Sequence, residues 1–210
     1  MKHLFLTSSV HAVALDIAKK ADLSKNNKLV FIDTAAEVAE GDKEWLKNDR
    51  QALVDAGFEV TDYSITNKSK DELETYLPKF DYIYLSGGNT PYLLRQSQKS
   101  GFVSVIKDLI LKKGKTYIGT SAGSIIAGPR LPVYLLDDDK SVNVEGLKGY
   151  GFVNFTVLPH WGSKDFREKY LGGRLEIVYK EDQVPLLLLT DNQYVHVQDD
   201  QVEIVDVKES

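Results

Sequence analysis

The stretch KTYIGTSAGSII, residues 115–126, decides how this chain can fold. Its first six residues have the apolar and β-branched composition of a buried strand, and a helical pattern begins at Ala122. Between the two, GTSAG (119–123) places Gly119, Ala122 and Gly123, which have little or no side chain, around Ser121. A strand that turns straight into a helix is typical of α/β proteins, and a serine at such a corner is a candidate nucleophile.

The same alternation of strand and helix patterns runs along the chain from residue 3 to this corner and the helix that follows it. Further strands are predicted at 3–7, 28–33, 58–63 and 81–86. Amphipathic helices are predicted at 10–22, 42–56, 69–77, 90–112 and 122–127. Strands joined by helices of this length need crossover connections, so we expect a doubly wound, mostly parallel sheet flanked by helices. Functional residues of such sheets lie beyond the carboxyl ends of the strands, where the sequence places Thr7, Asp33, Ser86 and Thr120.

The last third of the chain is richer in strands. They are predicted at 154–159, 185–190, 194–198 and 202–207. The last two flank the polar residues QDDQ (198–201) and predict a C-terminal β-hairpin. One helix, 163–179, interrupts the strands, although Gly172 and Gly173 weaken its middle. No repeat or linker divides the sequence, so residues 1–210 are expected to form one domain.

The composition argues against several classes of partner. A formal net charge of −5 disfavours nucleic acid, and no stretch approaches the ~20 apolar residues of a membrane span. The chain has no cysteine, and its first apolar run is too short for a signal peptide, so we expect a cytoplasmic protein. The four histidines show none of the spacings of metal sites, so neither a metal nor another cofactor is expected.

Two glycine-rich turns can stabilise a developing negative charge. The first is the corner at Ser121, where the N–H of Ala122 lies at a helix N-terminus. The second is SGGNT (86–90), another strand-to-helix connection, where Gly87 and Gly88 leave backbone N–H groups open. Together they could form the two-donor oxyanion hole that acyl transfer requires. The alternatives are an ordinary turn at Ser121 and a phosphate-binding turn at 86–90, although the latter lacks the spacing of known phosphate loops.

His160 is the candidate base and Asp191 the candidate acid. His160 directly follows a predicted buried strand and a proline, whereas His196 lies on a hairpin face that we expect to be exposed. Asp191 also follows a predicted buried strand, and it could orient the imidazole. A structural histidine and a turn-forming aspartate are the alternatives at these two positions. The acidic run DDD (137–139) is interpreted as a solvated loop.

Three motifs, LSGGNTPYLL (85–94), IGTSAGSIIAG (118–128) and VLPHWG (157–162), occur in the order and with the spacing of a known family. The chain resembles the peptidase E group of serine peptidases, which also contains the cyanophycinases. The resemblance implies a class I glutamine-amidotransferase-like α/β fold and cleavage of peptide bonds after an N-terminal aspartate. It also implies residue roles: Ser121 as nucleophile, His160 as base, Gly88 and Ala122 as oxyanion N–H donors, and Asn89 as part of the substrate site.

Two departures from the family pattern leave alternatives open. A glutamate is common where this chain has TDNQ (190–193), so Asp191 would need the histidine to be closer, or a bridging water. Otherwise Asn192 orients the histidine, or the enzyme works with a Ser–His dyad. The arginine that would pair with the substrate carboxylate is either Arg167 or Arg174, and each could instead pair with a helix glutamate.

The expected function is therefore hydrolysis of short peptides by a serine peptidase, above all of dipeptides with an N-terminal aspartate. A cyanophycinase-like hydrolase of β-aspartyl-arginine bonds is a second hypothesis, with the acidic run at 137–139 as part of an arginine pocket. A third is a binding protein that keeps the fold without the activity. The expected partner is a small peptide, and the sequence leaves open whether the chain forms a homodimer.

Overall fold

The structure is a computed structural model that describes residues 1–24, 26–132, 134–135, 146–181 and 184–207. Its strands are β1 (His3–Thr7), β2 (Lys28–Ile32), β3 (Glu59–Tyr63), β4 (Tyr82–Leu85), β5 (Thr116–Thr120), β6 (Thr156–Leu158), β7 (Leu186–Leu188), β8 (Gln193–Gln198) and β9 (Gln201–Asp206). Its helices are α1 (Val10–Ala21), α2 (Glu44–Asp55), α3 (Lys70–Tyr76), α4 (Thr90–Lys99), α5 (Phe102–Leu111), α6 (Ala122–Ile125), α7 (Lys164–Lys169) and α8 (Leu175–Glu181). Short 3₁₀ turns lie at Thr34–Ala36 and Leu77–Lys79, and a π-helical turn at Tyr170–Arg174. No helix among these residues is long and apolar enough to cross a membrane.

Seven of the strands form one mixed sheet, in the order β3-β2-β4-β5-β1-β8-β9. The strands β1 to β5 are parallel to one another. Beyond β1, β8 pairs with it antiparallel, and β9 pairs antiparallel with β8. The doubly wound α/β fold and the C-terminal hairpin are thereby confirmed. Because β1 lies between β5 and β8, the residue after β1 borders both the Ser121 corner and the start of the hairpin.

Strands β6 and β7 form a separate two-stranded parallel sheet. Leu158 of β6 stands opposite Leu188 of β7, so the turns that follow the two strands leave the pair side by side. His160 lies in the first turn and Asp191 in the second. This small sheet therefore determines how close the candidate base and the candidate acid can be.

The hydrophobic core lies on both faces of the main sheet. On β1, Leu4 packs into one cluster and Phe5 into the other, as expected for side chains that alternate between the faces of a strand. Helices α1 and α2 cover the Phe5 face, where Tyr84 is fully buried. The segments that contain Tyr134 and Tyr170 cover the opposite face. The carboxyl edge of the sheet therefore opens between two different sets of covering segments.

Two of the predicted helices are interrupted by glycine. The helix expected over 90–112 is two helices, α4 and α5, because Gly101 adopts a left-handed φ of 73° between them. The helix expected over 163–179 is broken at Gly173, whose φ of 141° lies outside the helical region. At both points glycine supplies a backbone conformation that other residues rarely adopt, so the helix stops where hydrophobic periodicity alone would continue it.

His196 is largely buried, and the expectation that it is exposed is wrong. Its side chain is 14% exposed because β8 pairs with β1 and brings it against that strand. The Nε2 atoms of His196 and His3 are 2.9 Å apart, so one ring donates a hydrogen bond and the other accepts it. Phe5 stacks on the His196 ring. Burial lowers the pKa of His3 to about 4 and also lowers the pKa of His196, so both rings are neutral near pH 7.

This histidine pair predicts a loss of stability in weak acid. The unfolded chain protonates both histidines near their ordinary pKa of about 6.5, whereas the folded chain protonates His3 only at about 4. The free energy of unfolding should therefore fall as the pH drops from 6.5 toward 4, and this contribution should level off below. Urea unfolding of the wild type and of a His3→Gln/His196→Gln variant across this pH range checks the prediction. Parallel stability curves for the two proteins would contradict it.

Candidate active site

The corner at Ser121 is sharper than an ordinary helix start. Ser121 adopts φ 49° and ψ −105°, an uncommon conformation for a residue with a side chain, and it immediately precedes α6. A Cβ atom on Gly119 would lie 2.6 Å from the carbonyl group of Gly123, and one on Gly123 would lie 2.3 Å from the carbonyl oxygen of Leu85. Both glycines are therefore required sterically, since they let the start of α6 pack against β5 and β4. The GTSAG pattern is a consequence of this close packing around the serine.

His160 meets Ser121 from the turn after β6. Its Nε2 atom lies 3.1 Å from the Oγ atom of Ser121. Phe166 of α7 stacks on the imidazole, with the ring centroids 4.3 Å apart. The backbone of His160 has a left-handed φ of 60°, and its N–H donates to the Oγ atom of Ser8 at 2.7 Å. The imidazole is thus held both through its ring face and through its backbone.

Asp191 contacts the other nitrogen of the same ring. Its Oδ1 atom lies 2.7 Å from His160 Nδ1, so the aspartate reaches the imidazole directly. The hydrogen bond with His160 is the main cause that lowers the pKa of Asp191; a hydrogen bond from Ser8 adds to it, and partial burial opposes both. The neighbouring Asn192 uses its backbone carbonyl to accept a hydrogen bond from Val207. The shorter acid can make a direct contact because the β6–β7 pair brings the two turns side by side.

Ser8 belongs to the same hydrogen-bond network, and no motif in the sequence selects it. It follows β1, and its Oγ atom donates to Asp191 Oδ1 at 2.7 Å while accepting the His160 N–H. The one signal in the sequence is the position of Thr7 and Ser8 at the carboxyl end of a predicted buried strand. The sequence does not show the strand order that brings Ser8 to the site. Because β1 lies beside β5, the end of β1 is next to the Ser121 corner, and the N–H of Ser121 donates to the Thr7 carbonyl at 3.1 Å.

The glycine turn after β4 lies against the candidate nucleophile. A Cβ atom on Gly87 would be 3.4 Å from the Cβ atom of Ser121. Gly88 has a φ of 128°, and a Cβ atom there would lie 2.2 Å from the carbonyl oxygen of Ala35, so only glycine fits. The backbone of Ala35 therefore excludes a side chain at Gly88, whereas at Gly87 a Cβ atom would make an ordinary contact with Ser121.

Asn89 and Ala122 lie at the starts of two helices on this edge of the sheet. Asn89 is the N-cap of α4, and its Oδ1 atom accepts the N–H of Tyr92 at 2.8 Å. Ala122 is the first residue of α6 and is buried. The Asn89 side chain therefore holds the helix start that follows the glycine turn, and the turn itself lines the space in front of Ser121.

A cavity of about 610 Å³ opens in front of Ser121 at the carboxyl edge of the sheet. Residues from the two faces of the sheet line it. From the side of α1 and α2 come Ser9, His11, Trp45 and Asp49. From the other side come Tyr134, Phe166, Lys169, Tyr170 and Arg174. A cavity of this size can hold a small ligand such as a short peptide.

The two candidate arginines lie in different places. Arg174 lines the cavity, and its guanidinium lies 4.9 Å from the ring centroid of Tyr134 and 5.9 Å from that of Tyr170. Aromatic rings at these distances stabilise a guanidinium by cation–π attraction and restrict its position. The structure therefore places one of the two arginines, Arg174, in the cavity that contains Ser121.

Arg167 lies on the protein surface. Its side chain is 66% exposed and hydrogen-bonds to Glu168 at 3.2 Å. It lines a separate surface pocket beside Trp161. This is the helix pairing that was the alternative interpretation for Arg167. The acidic run at 137–139, considered above as part of an arginine pocket, lies outside the described residues.

The contacts between Ser121, His160 and Asp191 allow proton transfer from the serine hydroxyl. A hydroxyl, an imidazole and a carboxylate in this order can pass a proton from the hydroxyl to the imidazole while the carboxylate stabilises the imidazolium. The glycine turn lies against Ser121, and α6 begins at the next residue, Ala122. This arrangement suits acyl transfer.

The chain is similar in sequence and structure to known peptidases. The family model described as "Peptidase family S51" matches residues 4–205. A Listeria monocytogenes protein named an uncharacterized peptidase is 34% identical over 170 residues, which cover 80% of this chain and 82% of that protein. A Drosophila melanogaster protein named "Probable alpha-aspartyl dipeptidase" is 28% identical over 153 residues, or 71% of this chain and 61% of that protein. A crystal structure of a Listeria monocytogenes EGD-e protein, described as a candidate peptidase E, matches with a TM-score of 0.87 and 29% identity, covering 99% of this chain and 100% of that one.

Proposed function

The chain belongs to peptidase family S51, and from this premise we propose that it is a serine-type dipeptidase for dipeptides with an N-terminal aspartate. Membership of the family makes it a peptidase, and the resemblance to peptidase E is confirmed. One observation carries the serine mechanism: the hydrogen-bonded chain from Asp191 through His160 to Ser121, with contacts of 2.7 and 3.1 Å.

In the proposed reaction, the Oγ atom of Ser121 attacks the carbonyl carbon of the N-terminal aspartate while His160 Nε2 takes the hydroxyl proton. The N–H groups of Gly88 and Ala122 stabilise the oxyanion. The tetrahedral intermediate then collapses: the C–N bond breaks, and His160 gives the proton to the leaving amine. Water, activated by the same histidine, hydrolyses the acyl-enzyme and restores the serine. Asp191 orients the imidazole throughout and stabilises its protonated form.

Arg174 is the residue to which we assign recognition of the substrate aspartate. Its position in the cavity, in contact with the rings of Tyr134 and Tyr170, supports this role. A guanidinium can bind a carboxylate by two parallel hydrogen bonds. A substrate with an uncharged side chain in place of the aspartate would not form this ion pair. The name of the Drosophila relative, an alpha-aspartyl dipeptidase, points to the same substrate class.

A dipeptide panel tests this function. Asp-Leu, Glu-Leu, Asn-Leu, Ala-Leu and β-Asp-Arg are incubated with the wild type, with Arg174→Gln and with the matched control Arg167→Gln. We expect the wild type to prefer Asp-Leu, and Arg174→Gln to lower kcat/KM for Asp-Leu about 10- to 100-fold with little effect on Asn-Leu. Arg167→Gln should behave like the wild type, because its side chain is exposed and lies outside the cavity.

Other outcomes would change the assignment in defined ways. A loss confined to Arg167→Gln would move aspartate recognition to that residue. Preferred cleavage of β-Asp-Arg would indicate a cyanophycinase-like specificity. If the wild type cleaves no peptide in the panel, the dipeptidase proposal is wrong.

A further inference from the structure

A second charged pair lines the same cavity, on the side opposite Arg174. His11 of α1 places its Nδ1 atom 3.2 Å from Oδ1 of Asp49 on α2 and 2.9 Å from Oγ of Ser9. Both His11 and Asp49 line the cavity in front of Ser121. The proposed reaction uses neither of them.

The two members of the pair differ greatly in burial. The Asp49 side chain is only 4% exposed, whereas the His11 side chain is 49% exposed. Asp49 also accepts a hydrogen bond at 3.1 Å from the hydroxyl of Tyr84, a fully buried residue. A buried carboxylate needs such partners, because moving a charge from water into the protein interior without a partner costs much free energy. Asp49 is thus a fixed anchor, and His11 is the member that a ligand can reach.

The anchor determines the chemistry of the His11 ring. The hydrogen bond to Asp49 is the main cause that raises the pKa of His11, although partial burial opposes it. Because the Nδ1 edge of the ring faces Asp49 and Ser9, the Nε2 edge is turned away from them. A protonated imidazole held in this way presents an N–H donor and a positive charge, and both suit a carboxylate ligand.

Trp45, on the same helix as Asp49, lies close to the candidate nucleophile. Trp45 and Asp49 are four residues apart on α2, so their side chains share one face of that helix. A Cβ atom on Gly87 would lie 3.4 Å from the Trp45 ring and also 3.4 Å from the Cβ atom of Ser121. The α2 side of the cavity is therefore within the length of one or two extended residues, about 3.5 Å each, of the serine.

We propose that His11 binds the terminal carboxylate of the peptide substrate and so selects peptides that end one residue after the scissile bond. This inference rests on the proposed function, because it takes Ser121 as the nucleophile. A dipeptide with an N-terminal aspartate has two carboxylates, and the cavity has basic side chains on both sides: Arg174 and Lys169 on one, His11 on the other. With the aspartate side chain assigned to Arg174, His11 is left for the terminal carboxylate. A longer peptide would place an uncharged amide there instead.

The test compares Asp-Leu with Asp-Leu amide, which lacks the terminal charge. His11→Gln keeps a side chain that can form hydrogen bonds but removes the basic imidazole. Lys19→Gln removes one charge from an exposed position on the same helix and is the matched control. We expect His11→Gln to raise KM for Asp-Leu about 10- to 100-fold with little change in kcat, and to leave the amide unaffected. Lys19→Gln should behave like the wild type, which should itself prefer Asp-Leu to its amide.

Two kinetic results would overturn the proposal. An equal loss on both substrates in His11→Gln would show that the histidine only covers the buried Asp49. A loss that persists with Asp-Leu amide and vanishes with Asn-Leu would show that His11 binds the side-chain carboxylate and not the terminal one.

Equilibrium binding separates this inference from the proposed reaction. In a Ser121→Ala background, calorimetry should show that His11→Gln weakens Asp-Leu binding about 10- to 100-fold and leaves binding of the amide unchanged. This result is expected even if the wild type hydrolyses neither peptide, in which case only the reaction is disproved. Asp-Leu binding that does not depend on His11, or no binding of Asp-Leu at all, would overturn the role of His11.

Discussion

Replacing Ser121 with alanine is expected to lower kcat/KM for a cleaved dipeptide by about 10⁴- to 10⁶-fold. The substitution removes the Oγ atom that lies 3.1 Å from His160 Nε2, so no acyl-enzyme can form. Alanine has nearly the same backbone preferences as serine, so the fold should persist despite the φ of 49° at this position. Steady-state kinetics measure the loss, and circular dichroism checks that the variant is folded.

Ser124→Ala is the matched control within the same motif. The Oγ atom of Ser124 lies 2.7 and 2.8 Å from the carbonyl oxygens of Thr7 and Gly119, so its one O–H can donate to either of them and stabilises the corner from inside the fold. Its loss should cost about 1 kcal/mol of stability and change kcat/KM by less than about tenfold. A serine-directed phosphonylating reagent should label the wild type and Ser124→Ala but not Ser121→Ala. Turnover that survives in Ser121→Ala would refute the assignment of the nucleophile.

Replacing Asp191 with asparagine is expected to lower kcat by about 10⁴-fold. The carboxylate lies 2.7 Å from His160 Nδ1 and keeps a proton on that nitrogen, so Nε2 is free to accept the proton of Ser121. The amide group of asparagine can donate to Nδ1 instead, which would favour the wrong tautomer of the imidazole. The comparison of kcat for Asp191→Asn and the wild type at neutral pH measures this effect.

Two companion variants separate the alternatives for orienting the histidine. Asn192→Ala should retain nearly full activity, because the hydrogen bond that Asn192 accepts from Val207 uses its backbone. Ser8→Ala should lower kcat about tenfold, since it removes one of the hydrogen bonds to Asp191 Oδ1. A small effect of Asp191→Asn with a large effect of Asn192→Ala would give the orienting role to Asn192. Small effects of both would indicate a Ser–His dyad.

Much of the fold could be predicted because its signals are local. The parallel strands are short apolar runs, and each is bounded by turn residues that can be seen in the sequence. The Ser121 corner could be predicted for the same reason, since the need for glycine at 119 and 123 comes from backbone atoms that pack within a few ångströms. His160 and Asp191 could be selected because each follows a strand that is visible in the sequence, although β7, the strand before Asp191, is only partly buried in the structure.

Helix limits and the burial of individual polar residues were less predictable. Hydrophobic periodicity continues through Gly101 and Gly173. The sequence marks only the second as a weak point of its helix, and the backbone conformations of both show where the helices stop. His196 alternates with polar residues on a terminal hairpin, which is typical of an exposed face. Its burial against His3 and Phe5 depends on the pairing of β8 with β1, and this pairing has no local signal.

The sequence by itself determined the α/β architecture, the nucleophile corner and the strand ends that hold the candidate base and acid. Only the tertiary structure decided which of these ends meet. Ser8 contacts Asp191 across 183 positions of the chain because β1 lies between β5 and β8, and His11 contacts Asp49 across 38 positions because α1 packs beside α2. Local sequence patterns cannot encode such contacts. These contacts depend on which strands and helices are neighbours in space, and that is decided by the packing of the whole chain.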